Sequence, residues 1–247
     1  PWSGTVGNVL DPIVSLRRTV QLAAGGSVQV AFLLGAAVER EAALALARRF
    51  ATPTAVEAAF PAAIRPAGSW LPVGDSNGLR PVDLTHPTIP PEAYTPAFFN
   101  HKGDNGSVMD EPLQFWNGYG GFGADGTEYV IRLQPAATGR LRPPPLPWVN
   151  IIANPRFGFL TSETGAGYTW SRNSRENRLT PWYNDPVLDP HGEALYLRDE
   201  DDGMFWSPLP GPVPQPVPYE VRHGFGYSRY RHVSQGLEQE TWLFVPC

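Results

Sequence analysis

One cysteine, five histidines and a charged fraction of only 17% leave this 247-residue chain short of what several common site types require. The sole cysteine, Cys247, is the last residue, so no disulfide within the chain can form, which suits a reducing compartment. The histidines, His86, His101, His191, His223 and His232, are too dispersed for a zinc-ligand spacing, and neither a metal nor another cofactor is expected. No apolar run approaches the ~20 residues needed to span a bilayer as a helix. The opening PWSGTVGNVLDP lacks the basic and apolar regions of a signal peptide, and also an initiator Met, which implies a piece cut from a longer polypeptide. A net charge of -5 gives no electrostatic ground for a nucleic-acid partner or an anionic membrane surface.

Two glycine-rich words fail as nucleotide sites. Ser3 to Asn8 lacks the Lys-Ser/Thr ending of a phosphate loop, and NGYGGFG at 117–123 precedes a strand rather than a helix. Asn105 opens a glycosylation triplet, read as incidental without a secretory signal. The run Asp199, Glu200, Asp201, Asp202 is read as a solvated hairpin tip, because consecutive residues alternate direction and cannot all converge on one ion.

What the chain has in quantity is proline, 28 residues, glycine, 25, and 12% aromatic residues. That combination predicts short strands joined by tight turns. Alternating apolar residues at Val14, Leu16, Val20 and Leu22 and at Val28, Val30, Phe32 and Leu34, around Ala24-Gly25-Gly26, predict a hairpin over 13–34. EREAALALARRF at 39–50 predicts a helix with Ala43, Leu46, Ala47 and Phe50 on one stripe, and Thr54 with Glu57 predicts a capping box for a second helix that Pro61 stops. Residues 61–112 read as a Pro/Gly-rich linker that touches the rest through Trp70, Tyr94, Phe98 and Phe99. Beyond residue 113 come turns at Asp125-Gly126 and Asn154-Pro155, a strand from Leu195, a proline-rich edge connection from Pro208 to Pro218, and a closing pair over 219–231 and 237–245. No period of 20 to 50 residues recurs, so a propeller or solenoid is not expected.

The stretch from Gly165 to Asp185 concentrates chemistry. It holds Tyr168, Trp170, Trp182 and Tyr183, the arginines Arg172, Arg175 and Arg178, and Asn173, Glu176, Asn177, Asn184 and Asp185. Flat rings suit the CH face of a pyranose, while Arg, amide and carboxylate groups suit its hydroxyls. Phosphate or a sugar phosphate would also suit three close arginines. The competing reading is a structural plug, with each Arg paired and each Trp covering a core edge.

Four words in this half of the chain carry a resemblance: NGYGGFGADGTEYVIRL from Asn117, PWVNIIANPRFGFLTSETGAGYTWSRNSRENRLTPWYNDPV from Pro147, GEALYLRDEDDGMFWSP from Gly192, and YEVRHGFGYSRY from Tyr219. In that order they resemble the glycosyltransferase 36 region of cyclic β-1,2-glucan synthases, whose amino-terminal sandwich is shared with phosphorylases of glycoside hydrolase family 94. The resemblance covers about 113–247, and more loosely 1–60, where the hairpin and helix resemble the end of a preceding sandwich. It implies a mainly β fold, a large antiparallel super-sandwich of the galactose mutarotase kind with one or two short helices, incomplete at its carboxy-terminus. On that basis the hairpin at 13–34 is a candidate to fill the vacant strand positions.

Sugar transfer with inversion needs a general acid and a nucleophile on the opposite face. In the family that acid lies in an α/α barrel following the sandwich, and no residue here corresponds to it, so no catalytic residue is assigned. His223, inside VRHGFGYSR, is read as a hydrogen-bonded structural residue rather than a base. The resemblance implies a carbohydrate-associated, non-catalytic module supporting glucan binding at Tyr168, Trp170, Arg172, Asn173, Arg175, Glu176, Asn177, Arg178, Trp182, Asn184 and Asp185. Its partners would be a β-glucan or oligosaccharide, the barrel of the parent chain and a second copy of itself. The parent is expected on the cytoplasmic side of a bacterial inner membrane. The alternative is a purely structural interdomain or dimerisation module, and an epimerase-like enzyme is a weaker third, since nothing fixes a histidine–carboxylate pair.

Overall fold

Two tight turns that the sequence marks most plainly begin the sandwich. A computed structural model describes residues 14–64 and 111–246 of the chain, and divides it into two compact units, Pro1–Phe32 and Leu33–Cys247. Strand β1 (Gly120–Phe122) pairs antiparallel with β2 (Glu128–Leu133) across Asp125-Gly126, with Gly126 at φ +72° and Gly123 N–H donating to the Glu128 carbonyl. Strand β3 (Val149–Ala153) turns at Asn154-Pro155 into β4 (Phe157–Ser162), and the Asn154 side-chain oxygen accepts from the N–H groups of Arg156 and Phe157. An Asx turn of this kind supplies the acceptors that the bend removes from the ladder.

Strand β5 (Gly167–Ser171) adds to β4 and completes a three-stranded sheet. The short strands β6 (Leu197–Arg198) and β7 (Phe205–Trp206) enclose the acidic run as an exposed turn, in which Gly203 N–H donates to the Asp199 carbonyl. The stretch 219–231, expected as one strand, is two: β8 (Tyr219–Gly224) and β9 (Tyr227–Ser234) reverse at Phe225-Gly226. Gly226 sits at φ +93°, where an added Cβ would lie 2.1 Å from the Ala63 carbonyl, so only glycine makes this bend. Strand β10 (Leu237–Phe244) closes a five-stranded antiparallel sheet in the order β1-β2-β8-β9-β10.

Period-two alternation gives this sheet two different faces. Ile131, Leu133, Tyr219, Val221 and Tyr230 point toward the three-stranded sheet and form the core with Leu209. The proline-rich connection therefore covers the core as well as joining strands, with residues 208–211 buried. Between the sheets, Tyr230 Oη is within hydrogen-bond distance of Thr161 Oγ1 at 2.7 Å and the Ser162 carbonyl at 2.7 Å, and Asn150 donates to the carbonyls of Gly224 and Tyr227. The opposite face carries charge: Arg222 donates to Glu220, Glu128 and Glu111 at 2.7, 2.9 and 2.7 Å.

Helix α1 (Arg40–Arg49) forms as the propensities predict but buries no residue. Helix α2 (Pro53–Ala63) departs from expectation at both ends. Thr52, not Thr54, is its N-cap, accepting from Ala55 N–H at 3.2 Å, because Pro53 presets the first helical turn. Pro61 lies inside the helix, which continues to Ala63; so near the end, only a single backbone hydrogen bond is forgone. Phe60 is 0% exposed and meets Tyr227, Trp242 and Phe244 edge-on at 5.0 to 5.5 Å, which docks α2 onto β9 and β10.

The expected hairpin over 13–34 is a turn without a ladder among its described residues. Gly26 N–H donates to the Ala23 carbonyl at 2.9 Å, yet residues 14–34 contain no strand and Val20 and Phe32 remain exposed. A two-stranded ribbon that buries neither face has little to hold its cross-strand bonds. Trp70, Tyr94, Phe98, Phe99, His86, His101, Asn105 and the 3–8 run lie outside the described residues.

Candidate functional site

The Gly165–Asp185 stretch, whose sequence shows neither strand nor helix periodicity, is not irregular throughout: it opens as β5, paired with β4, and the loop after Ser171 folds back on that strand. Ser171 N–H donates to the Asn177 carbonyl, Leu179 N–H to the Thr169 carbonyl, and Trp170 bridges Arg178, so residues 172–178 form a closed lobe. Asn173 accepts from the N–H groups of Arg175 and Glu176, both at 2.9 Å, and Asn177 donates to the Ser171 carbonyl. Arg172 takes up the left-handed conformation at φ +63° that this reversal needs. Asn173 through its oxygen and Asn177 through its nitrogen thus shape the lobe, while both side chains remain exposed. Asp185 does the same for the next turn, accepting from Val187 and Leu188 N–H, beside Asn184 at φ +51°.

The aromatic residues divide by burial. Trp170 is 8% exposed and Tyr168 9%, so neither ring presents a face to a ligand. Tyr168 instead supports Trp182, stacked at 5.2 Å and 24°, and lies under the Arg178 guanidinium at 5.5 Å. Arg178 also donates to the carbonyls of Ser174 and Trp182, which ties the lobe to the following segment. Outward-facing groups are Arg172, Arg175 and Glu176, the half-buried Trp182, and Tyr183 at 69% exposure. Arg175 and Glu176 pair at 3.2 Å in full solvent, where screening leaves both free for exchange with a ligand. Tyr183, not among the expected contact residues, is the ring most available; its place beside Trp182 was the signal for it.

Behind the loop lies a cluster that spacing did not reveal. Glu163 is 1% exposed and accepts from Trp148 N–H at 2.7 Å; burial, assisted by the nearby Asp189 charge, pushes its carboxyl up to about 7. Asp189, at φ +42°, accepts from Ser162 and Thr164 hydroxyls at 2.7 and 2.5 Å. His191 donates to the Thr164 carbonyl, and burial lowers its pKa. Glu193 accepts from the hydroxyls of Thr169 and Thr180 and so pins β5 to the loop's return. His223 is hydrogen-bonded at both ring nitrogens, to Ser228 Oγ and the Trp148 carbonyl, and burial depresses its pKa to about 4. No group of three or more potential metal ligands occurs among the described residues.

The glycosyl hydrolase 94 supersandwich domain matches residues 1–53 and 127–247. The chain belongs to that family. Its mainly antiparallel sheets with two helices are the architecture expected of a super-sandwich. The supersandwich chain is 44% identical over 130 residues to a cyclic beta-(1,2)-glucan synthase of Rhizobium meliloti (strain 1021), covering 52% of this chain and 4% of that protein. It is 36% identical over 132 residues to an N,N'-diacetylchitobiose phosphorylase of Vibrio furnissii, and 31% identical over 129 residues to a 3-O-beta-D-glucopyranosyl-beta-D-glucuronide phosphorylase of Paenibacillus borealis. Each of those two matches covers 52% of this chain and 15% of the relative. The chain thus spans a small part of the length of the relatives it matches.

Proposed function

We propose that this chain is a carbohydrate-associated, non-catalytic module of a larger glucan synthase or glycoside phosphorylase, and that its Gly165–Asp185 loop supplies contacts to the sugar. The supporting observation is the ordered loop: Asn173 and Asn177 shape its lobe and Asp185 the turn that follows, and Arg172, Arg175, Glu176 and Tyr183 are exposed beside the half-buried Trp182. Rings and hydrogen-bonding groups side by side suit a pyranose. The catalytic acid would reside in a separate barrel that the loop approaches, and the parent enzyme would work on the cytoplasmic side of a membrane. Among the described residues no helix is long and apolar enough to cross one. Titration of the folded chain with linear β-1,2-gluco-oligosaccharides, followed by tryptophan fluorescence with cellobiose and maltose as controls, is expected to show saturable binding selective for the β-1,2 series. An unchanged affinity in both Trp182→Ala and Arg175→Ala would remove the loop from the site.

A second reading, an interdomain or dimerisation module, is favoured by the exposure of Val149 and Ile151 on β3 and of Val187 and Leu188 after the loop. Self-association that rises with protein concentration and ignores added oligosaccharide would support it over sugar binding.

A further inference from the structure

On the far side of the Asp185–Asp189 turn the surface opens into a groove of about 680 Å³. One wall is the segment from Leu188 to Tyr196, and the other is the proline-rich connection around Pro212. Its polar lining comes from Arg140, Thr164, Asp189 and His191, and its aromatic lining from Tyr196, which is 53% exposed and braced by the edge of Phe205 at 6.2 Å.

Each of these groups is held in place. Both hydroxyl donors of Asp189 converge on its Oδ2, from Ser162 and Thr164, and its Oδ1 has no hydrogen-bond partner among the described residues. The backbone of Asp189 adopts φ +42°, a conformation that L residues seldom take and that recurs at binding walls. His191 donates to the Thr164 carbonyl at 3.4 Å and packs over Gly211, where an added Cβ would lie 2.6 Å from the ring. The ring is therefore clamped, with its second nitrogen in no hydrogen bond to the described residues.

The lining decides what such a groove can take. A dianion such as inorganic phosphate would meet the Asp189 carboxylate, opposed by a single exposed guanidinium and an imidazole that burial keeps neutral. An apolar peptide would leave Asp189 Oδ1 desolvated and unpaired. A neutral polyol fits both demands, since its hydroxyls donate to Asp189 and accept from Arg140 while its CH face lies on Tyr196 and the prolines.

We propose that this groove is a second saccharide-binding site, distinct from the loop and taking a glucosyl unit of an oligosaccharide. It shares with the function proposed above only the class of ligand.

The test uses the full chain and a linear β-1,2-gluco-oligosaccharide, with calorimetry for stoichiometry and NMR of the His191 imidazole as a local probe. Saturating oligosaccharide is expected to shift the His191 resonances. Tyr196→Ala is expected to weaken that event by between about 5-fold and 100-fold, by analogy with other ring-stacking contacts, and Tyr196→Phe to retain it. Both variants and Arg140→Ala alter exposed side chains, and an unchanged thermal midpoint establishes that they fold. The result that would overturn the proposal is a His191 signal unmoved at saturation, or wild-type affinity and stoichiometry in both Tyr196→Ala and Arg140→Ala. Failure of the loop instead has a different signature: Trp182→Ala and Arg175→Ala leave all binding intact while Tyr196→Ala removes it.

Discussion

Glu163→Gln is the substitution whose consequence can be worked most fully from the structure. Glu163 is buried beneath the sandwich edge, accepts one hydrogen bond from Trp148 N–H, and has its carboxyl pushed from 4.5 to about 7 by desolvation. A carboxyl with a raised folded pKa favours the native state while protonated, so its contribution is complete below 4.5 and is lost as pH rises through about 7. At about 1.4 kcal/mol per pH unit, the whole swing is roughly 3 kcal/mol, of which about 2 to 3 kcal/mol falls between pH 5 and pH 8. Glutamine keeps an oxygen for Trp148 and cannot ionise. The variant should therefore gain about 2 to 3 kcal/mol relative to wild type between those two pH values, read from urea denaturation. The comparison cancels the histidines, which titrate alike in both proteins. A stability difference that is the same at pH 5 and pH 8 would refute a Glu163 carboxyl raised to about 7 by burial.

Three further outcomes can be measured on the same preparation. Arg222→Ala strips the closest cationic partner from Glu128 and Glu220, both nearly buried, and should cost about 3 to 5 kcal/mol in urea unfolding at pH 7; a loss under about 1 kcal/mol would mean that water, or Tyr227 and Arg132, suffice for those carboxylates. Phe60→Ala removes the ring that seats α2 against Tyr227, Trp242 and Phe244 and should cost about 3 to 5 kcal/mol, with faster amide exchange throughout α2. His223 and His232, both lowered to about 4 by burial, are neutral in the folded state, so stability present above 6.5 should fall as pH drops from 6.5 toward 4; replacing either with Gln should flatten that acid limb.

How far the sequence foretold this molecule depends on the range of the forces involved. Asp125-Gly126 and Asn154-Pro155 were readable because a turn's geometry is set by the residues within it. The hairpin expected over 13–34 forms no ladder among its described residues, although its alternation is as regular as that of β9, because alternation reports only that a face wants cover. β9 has that cover on both sides, α2 through Tyr227 and the β3–β4 sheet through Ser228 and Tyr230, whereas Val20 and Phe32 stay exposed. The break at Phe225-Gly226 is not legible locally for a related reason: the need for glycine there comes from the Ala63 carbonyl, more than 160 positions earlier in the chain.

The same limit separates the two candidate sugar surfaces. The density of rings and arginines in the Gly165–Asp185 stretch is visible in composition, but composition does not tell Trp170, committed to the interior, from Trp182, stacked on Tyr168 at the surface. The groove left no such mark, since Arg140, Thr164, Asp189, His191 and Tyr196 are spread over 57 positions and none stands in a recognisable spacing. What unites them is the proline-rich connection, which read as an edge element and instead folds across the core. Its Gly211 accepts the His191 ring at a distance no side chain would permit. A single bulky substitution there, Gly211→Val, should displace the ring and abolish any saccharide-induced shift of its resonances while leaving the loop, on the other side of the Asp185–Asp189 turn, able to bind.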